Sequence, residues 1–137
     1  MTVAGGCLCK AVRYEFAFEP IATRMCWCRS RQYLGAGNAI VNIAFPKSAA
    51  RISGALRDCR SVADSGAVMR RSFCPTCGTP MFSEAESRPH LVFVRVGALD
   101  DPEIGRPVAA IWTSQAPSWA CIDESMPRIE RQPPPVA

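Results

Sequence analysis

The sequence predicts an all-β protein built of small sheets, and three observations predict it. Apolar–polar alternation recurs along the chain, helical periodicity is nearly absent, and 12 prolines and 9 glycines cut the remainder into short pieces. A chain of 137 residues suits one domain with a modest core. A domain with so thin a core commonly needs a staple.

Taken in order, Ala11–Phe18 alternates, with Val12, Tyr14, Phe16 and Phe18 on one face and Arg13 and Glu15 on the other. That is a half-buried strand. Residues 29–34 have room for one or two helical turns. Ala39–Phe45 places Val41, Ile43 and Phe45 on one face, a second strand. Leu56–Val62 and Ala67–Phe73 flank Asp64-Ser65-Gly66 and predict a hairpin. Leu91–Val96 is a short, nearly continuous apolar run suited to a buried strand, and Ala109–Thr113 is a shorter candidate. The domain is expected over residues 1–130. Residues 131–137, with Pro133-Pro134-Pro135, predict an extended, disordered tail.

The charge balance excludes some classes. A net charge of +4 comes from scattered arginines with no Lys/Arg run, so nothing in it indicates nucleic acid. No apolar run reaches the roughly 18 residues of a membrane span. Residues 1–6 lack the basic and apolar regions of a secretory signal, so a reducing, cytoplasmic setting is expected. There, eight cysteines read as metal ligands or free thiols rather than disulfides.

Cys74-Pro75-Thr76-Cys77-Gly78 has the form of a zinc knuckle. Two thiolates at this spacing share one ion if the backbone turns tightly, and Gly78 permits the turn. A closed structural site needs four ligands. Cys7-Leu8-Cys9 supplies the other two if it opens directly into the first strand, where residues two apart face one side. Zinc at Cys7, Cys9, Cys74 and Cys77 would then clamp the N-terminus to the end of the hairpin. Buried free thiols and a rubredoxin-like iron site are the other readings of these four residues.

A second pair lies in Cys26-Trp27-Cys28-Arg29-Ser30-Arg31. The ordered set is Gly6-Cys7-Leu8-Cys9-Lys10, Cys26-x-Cys28, Gly35-Ala36, Phe73-Cys74-Pro75-Thr76-Cys77-Gly78, Val96-Gly97-Ala98-Leu99-Asp100 and Trp119. It resembles the glutathione-dependent formaldehyde-activating enzyme family, the centromere protein V/GFA domain, over roughly residues 3 to 130. The resemblance implies a β-tent of small antiparallel sheets, with the first cysteine set as structural zinc. It also implies a second zinc in a Cys-x-Cys-x-x-Cys segment, where glutathione adds to formaldehyde to give S-hydroxymethylglutathione. The associated classification is carbon–sulfur lyase.

Here the third position of that segment is Arg31, and Trp27 stands where His is common. Arginine stays protonated and offers no lone pair to a metal. The second site is therefore expected to be empty or only partly occupied, with Cys26 and Cys28 as residual active-site thiolates and no normal zinc-assisted acceleration. Cys59, Cys121 and His90 are the remaining donors, and none is selected by its spacing. The first two are expected to be buried core thiols, and His90 to be solvated. Arg31 either binds an anion such as a carboxylate of glutathione, helped by Arg24 and Arg29, or points to water. Two further functions fit the residues: a non-catalytic module for a thiol, an acidic ligand or a partner protein, and reversible oxidation of Cys26 and Cys28. The sequence allows a homo-oligomer without requiring one.

Overall fold

The computed structural model describes residues 1–136. Among them the protein is all-β apart from one short helix and several single turns of 3₁₀ helix. The strands are β1 (Val3–Gly6), β2 (Arg13–Phe16), β3 (Ala22–Cys26), β4 (Ile40–Pro46), β5 (Ala50–Ser53) and β6 (Arg57–Val62). They continue with β7 (Val68–Phe73), β8 (Pro80–Ala85), β9 (Leu91–Arg95), β10 (Ala109–Ile111) and β11 (Arg128–Ile129). Helix α1 (Arg29–Leu34) falls where the sequence allowed one.

Two sheets result. One has three antiparallel strands in the order β1-β2-β5, and the other has eight in the order β11-β10-β3-β4-β9-β8-β7-β6. The larger sheet departs from the expected small antiparallel units. Its edge strand region is mixed, with β10 parallel to both β3 and β11.

The apolar pattern explains the packing. Val12, Tyr14 and Phe16 are buried while Arg13 and Glu15 face water, so β2 covers the larger sheet with one face. Phe18, predicted on the same face, lies beyond the end of β2 and is 48% exposed. Phe16 stacks on Phe45 of β4 with ring centroids 4.5 Å apart, and Tyr14 meets Phe82 of β8 edge-on at 5.2 Å. The Tyr14 hydroxyl donates to the Ala98 carbonyl at 2.9 Å, which satisfies the one polar atom of that buried ring. Gly5 makes this approach possible, because a Cβ there would overlap both Ala98 O and Tyr14 Oη.

Strand β4 is covered on both faces. Ile43 and Phe45 lie in the core, and Asn42 and Ala44 are buried on the opposite side. Period-two alternation detects only half-buried strands, so it identified one of these faces. Strand β6 is an exposed edge with charged side chains, a common protection against edge pairing. No helix is long and apolar enough to cross a membrane.

The Phe16–Phe45 stack is fully buried, so Phe16→Ala is expected to destabilise the fold by about 3–5 kcal/mol. Chemical denaturation measures this. A loss under about 1 kcal/mol, typical of surface positions, would show that the stack is not central.

Candidate functional site

Two cysteine clusters occupy opposite faces of the larger sheet's end. In the first, Cys7 and Cys9 sit in the turn between β1 and β2 rather than in a strand. This corrects the expected strand geometry. The turn closes by Lys10 N–H donating to Cys7 O at 3.0 Å, with Lys10 at φ 67°. A tight turn, not strand periodicity, brings both sulfurs to one side.

The knuckle between β7 and β8 closes similarly. Gly78 N–H donates to Cys74 O at 2.8 Å, and Gly78 adopts φ 76°. The two loops meet where Leu8 N–H donates to Thr79 Oγ1 at 3.1 Å. The sulfurs of Cys7, Cys9, Cys74 and Cys77 all lie within 4.8 Å of one another, and the group could hold a metal ion. Val12 N–H points at Cys7 Sγ from 3.2 Å. The Thr79 hydroxyl, 3.1 Å from Cys77 Sγ, holds that thiol down to about 5. Thr79 was not singled out from the sequence, although its position just after the knuckle glycine is a detectable signal.

The second pair lies at the end of β3 and the start of α1. Cys26 and Cys28 are buried and both line a cavity of about 320 Å³. Trp27 between them turns the other way, is fully buried, and meets Trp119 edge-on at 6.4 Å. The indole is thus an anchor behind the pocket and not one of its walls. Gln32 holds this corner by donating from Nε2 to Trp27 O at 2.7 Å and to Gln115 O at 3.0 Å.

The neighbouring Cys26 side chain lowers the Cys28 thiol most, and the backbone N–H and charge of Arg31 act in the same direction. Cys28 is therefore held down to about 6, against its own burial and the charge of Asp64. Interaction with the Cys28 side chain, together with burial, pushes the Cys26 thiol up. Among the described residues, no third His, Cys, Asp or Glu joins Cys26 and Cys28 in a ligand group.

Arg31 lines the cavity, and its Nε and Nη1 are buried without a partner. Arg24 lines the cavity as well, whereas Arg29 stacks over Tyr33 and bonds Gln32. Gln132, Pro133, Pro135 and Val136 line the same cavity. There Trp112 Nε1–H donates to Gln132 Oε1 at 2.9 Å and Arg88 donates to the Val136 carbonyl.

His90 is exposed, as expected. Cys59 and Cys121 were expected in the core, and both are exposed instead. The general tendency of Cys to be buried fails here because β6 is an edge strand and Cys121 lies in an exposed loop between β10 and β11.

The family model of the glutathione-dependent formaldehyde-activating enzyme matches residues 2–115. The chain belongs to this family. A crystal structure of a Rhodobacter sphaeroides protein, a structural-genomics target, shares the fold with a TM-score of 0.58 at 24% identity. It aligns with 78% of this chain and 97% of its own. No curated protein matches the sequence.

The thiolate is the reactive form, so alkylation of Cys28 should rise through pH 6 and level off above pH 7, rather than near the ordinary thiol value of 9.0. Cys59 and Cys121 should label rapidly in the folded protein. Mass spectrometry of iodoacetamide-treated protein across pH checks both. Protection of Cys59, or a Cys28 profile centred near pH 9, would contradict these assignments.

Proposed function

We propose that this protein is a zinc-stapled carbon–sulfur lyase acting on glutathione–aldehyde adducts of the S-hydroxymethylglutathione type. Its reacting centre lies beside Cys26 and Cys28, and the local cation there is Arg31 rather than a second zinc. The observation that carries the reading is that Cys28 and Arg31 line one cavity, where the charge of Arg31 is among the causes that lower the Cys28 thiol.

The donor set of the first cluster favours zinc. Tetrahedral zinc with Zn–S bonds of about 2.3 Å has sulfur–sulfur edges of about 3.8 Å, and Cys7–Cys9 and Cys9–Cys74 lie at 3.5 and 3.7 Å. All-thiolate coordination leaves no open position, so this ion would be structural. Binding then contributes directly to folding, by about 10–16 kcal/mol in zinc-finger peptides.

Cleavage of such an adduct needs a base and a stabilised leaving group. Cys28 takes the hydroxyl proton as the O–H electron pair becomes the second carbon–oxygen bond. The carbon–sulfur pair leaves on sulfur, where the charge of Arg31 offsets it. Return of the proton from Cys28 to the departing thiolate regenerates the site and yields glutathione and aldehyde.

A second reading is a binding module that holds the adduct without turnover. It is favoured by the lack of a third ligand at Cys26 and Cys28 among the described residues. Rate measurement separates the two.

Purified protein is expected to carry about one zinc per chain, lost with cooperative folding in Cys77→Ser. Arg31→Cys should raise the content toward about two by supplying a third thiolate. A wild-type second site that matches the first in a chelator competition would overturn the reading of Arg31.

Adduct breakdown followed by NMR should be faster with wild-type protein than with Cys28→Ala and should not respond to added zinc. Binding without acceleration supports the module. Acceleration that requires a second zinc contradicts both readings.

A further inference from the structure

The side of the larger sheet that faces the cavity carries a row of polar side chains across five strands. Register sets it: Arg71 of β7 pairs with Ser83 of β8, Ser83 with Phe93 of β9, Arg95 of β9 with Asn42 of β4, and Asn42 with Arg24 of β3. Paired residues share a face, as do residues two apart on one strand. Arg71 therefore lies on the side of Met69, and Arg95 on the side of Phe93, and both Met69 and Phe93 line the cavity. Arg31 reaches the same end from α1.

This row is buried and under-satisfied. Arg71 is 7% and Arg95 5% exposed, and Ser83 is fully buried. Of the eight buried side-chain nitrogen and oxygen atoms without a partner among the described residues, six are Arg31 Nε and Nη1, Arg71 Nε and Nη2, Arg95 Nε and Ser83 Oγ. The partners present are neutral: Arg95 Nη1–H donates to Asn42 Oδ1 at 2.7 Å, and Arg71 donates to the Ser61 hydroxyl.

Among the described residues, none of Arg24, Arg31, Arg71, Arg88 or Arg95 joins an ion pair, whereas Arg13, Arg60, Arg70 and Arg106 do. Among the described residues, Asp64 is the one carboxylate lining the cavity. Burial and the charges of Arg31 and Arg71 hold the Arg95 guanidinium down to about 9, which leaves it charged at neutral pH. Unpaired buried cations are costly, and unpaired buried N–H groups add to that cost. A bound anion relieves both.

We propose that Arg31 and Asn42 at the cavity wall, backed by Arg71, Ser83 and Arg95 on the same sheet face, form a site for a small organic carboxylate whose apolar body lies against Phe93 and Met69. A planar guanidinium matches a carboxylate edge. The apolar side walls suit a hydrocarbon body and leave a free phosphate unaccompanied. This goes beyond the adduct reading, because it needs neither a thiol nor reaction at Cys28.

The test titrates the full zinc-bound protein with butyrate, acetate, butyramide and phosphate by calorimetry. Butyrate should bind at least ten-fold more tightly than the isosteric, uncharged butyramide. It should exceed acetate by roughly ten-fold, the worth of two buried methylenes. Arg95→Gln should weaken butyrate at least ten-fold, and the half-buried Arg31→Gln provides the same comparison if Arg95→Gln does not fold. Equal binding of butyrate and butyramide, no butyrate binding in the millimolar range, or tighter binding of phosphate would each overturn the proposal. Because no thiol adduct is used, such a failure leaves the lyase reading standing, and loss of lyase activity leaves this site standing.

Discussion

The rest of the structure depends on the convergence of four sulfurs. Cys7 and Cys9 come from the turn that joins the first two strands, and Cys74 and Cys77 from the turn between β7 and β8. Without a cation, four thiolates this close repel one another, so the arrangement is stable only with a metal or with protons retained. With one ion bound, the small sheet is fixed against the large one at a single point. Cys7 and Cys74 belong to the same buried cluster as Tyr14, Phe16 and Phe82. Metal coordination and core packing are therefore one cooperative unit.

That clamp sits on the core side of the fold and leaves the opposite face of the larger sheet free for chemistry. A sheet with both faces in use must bury polar groups on one of them, and here it does so at Asn42, Ser83, Arg71 and Arg95. Stability alone would favour apolar residues at those positions, because each unpaired buried donor costs on the order of 1–3 kcal/mol. Local rules broken in this way mark a binding face.

The contrast between the two cysteine pairs follows from their surroundings. At the first, backbone N–H groups and the Thr79 hydroxyl point at sulfur, which favours thiolates ready for a metal. At the second, the nearby charge is the guanidinium of Arg31. Arg31 lowers the thiol pKa as a metal would, but it cannot coordinate and it repels a dication. A thiol beside a guanidinium suits the proposed proton transfer and anion recognition.

Much of the zinc-binding face was legible in the sequence. The knuckle, its glycine, the paired Cys-x-Cys, the hairpin at Asp64-Ser65-Gly66 and helix α1 are local signals, set by spacing and turn chemistry. Strands β1, β3, β5, β8 and β11 were not identified, because they are short, contain Gly or polar residues, or are covered on both sides. Burial of Cys59 and Cys121 was misjudged because exposure depends on which strand becomes an edge. Arg71 and Arg95 looked like ordinary surface arginines. A single strand shows only that Arg71 shares a face with Met69, and Arg95 with Phe93. Pairing across β7, β8, β9 and β4 decides that this face is enclosed, since burial is a property of neighbours distant in sequence. Sequence alone determined the family and the four cysteines that could hold a metal ion. Tertiary structure decided which cations lie together without carboxylates, because that depends on strand order and register.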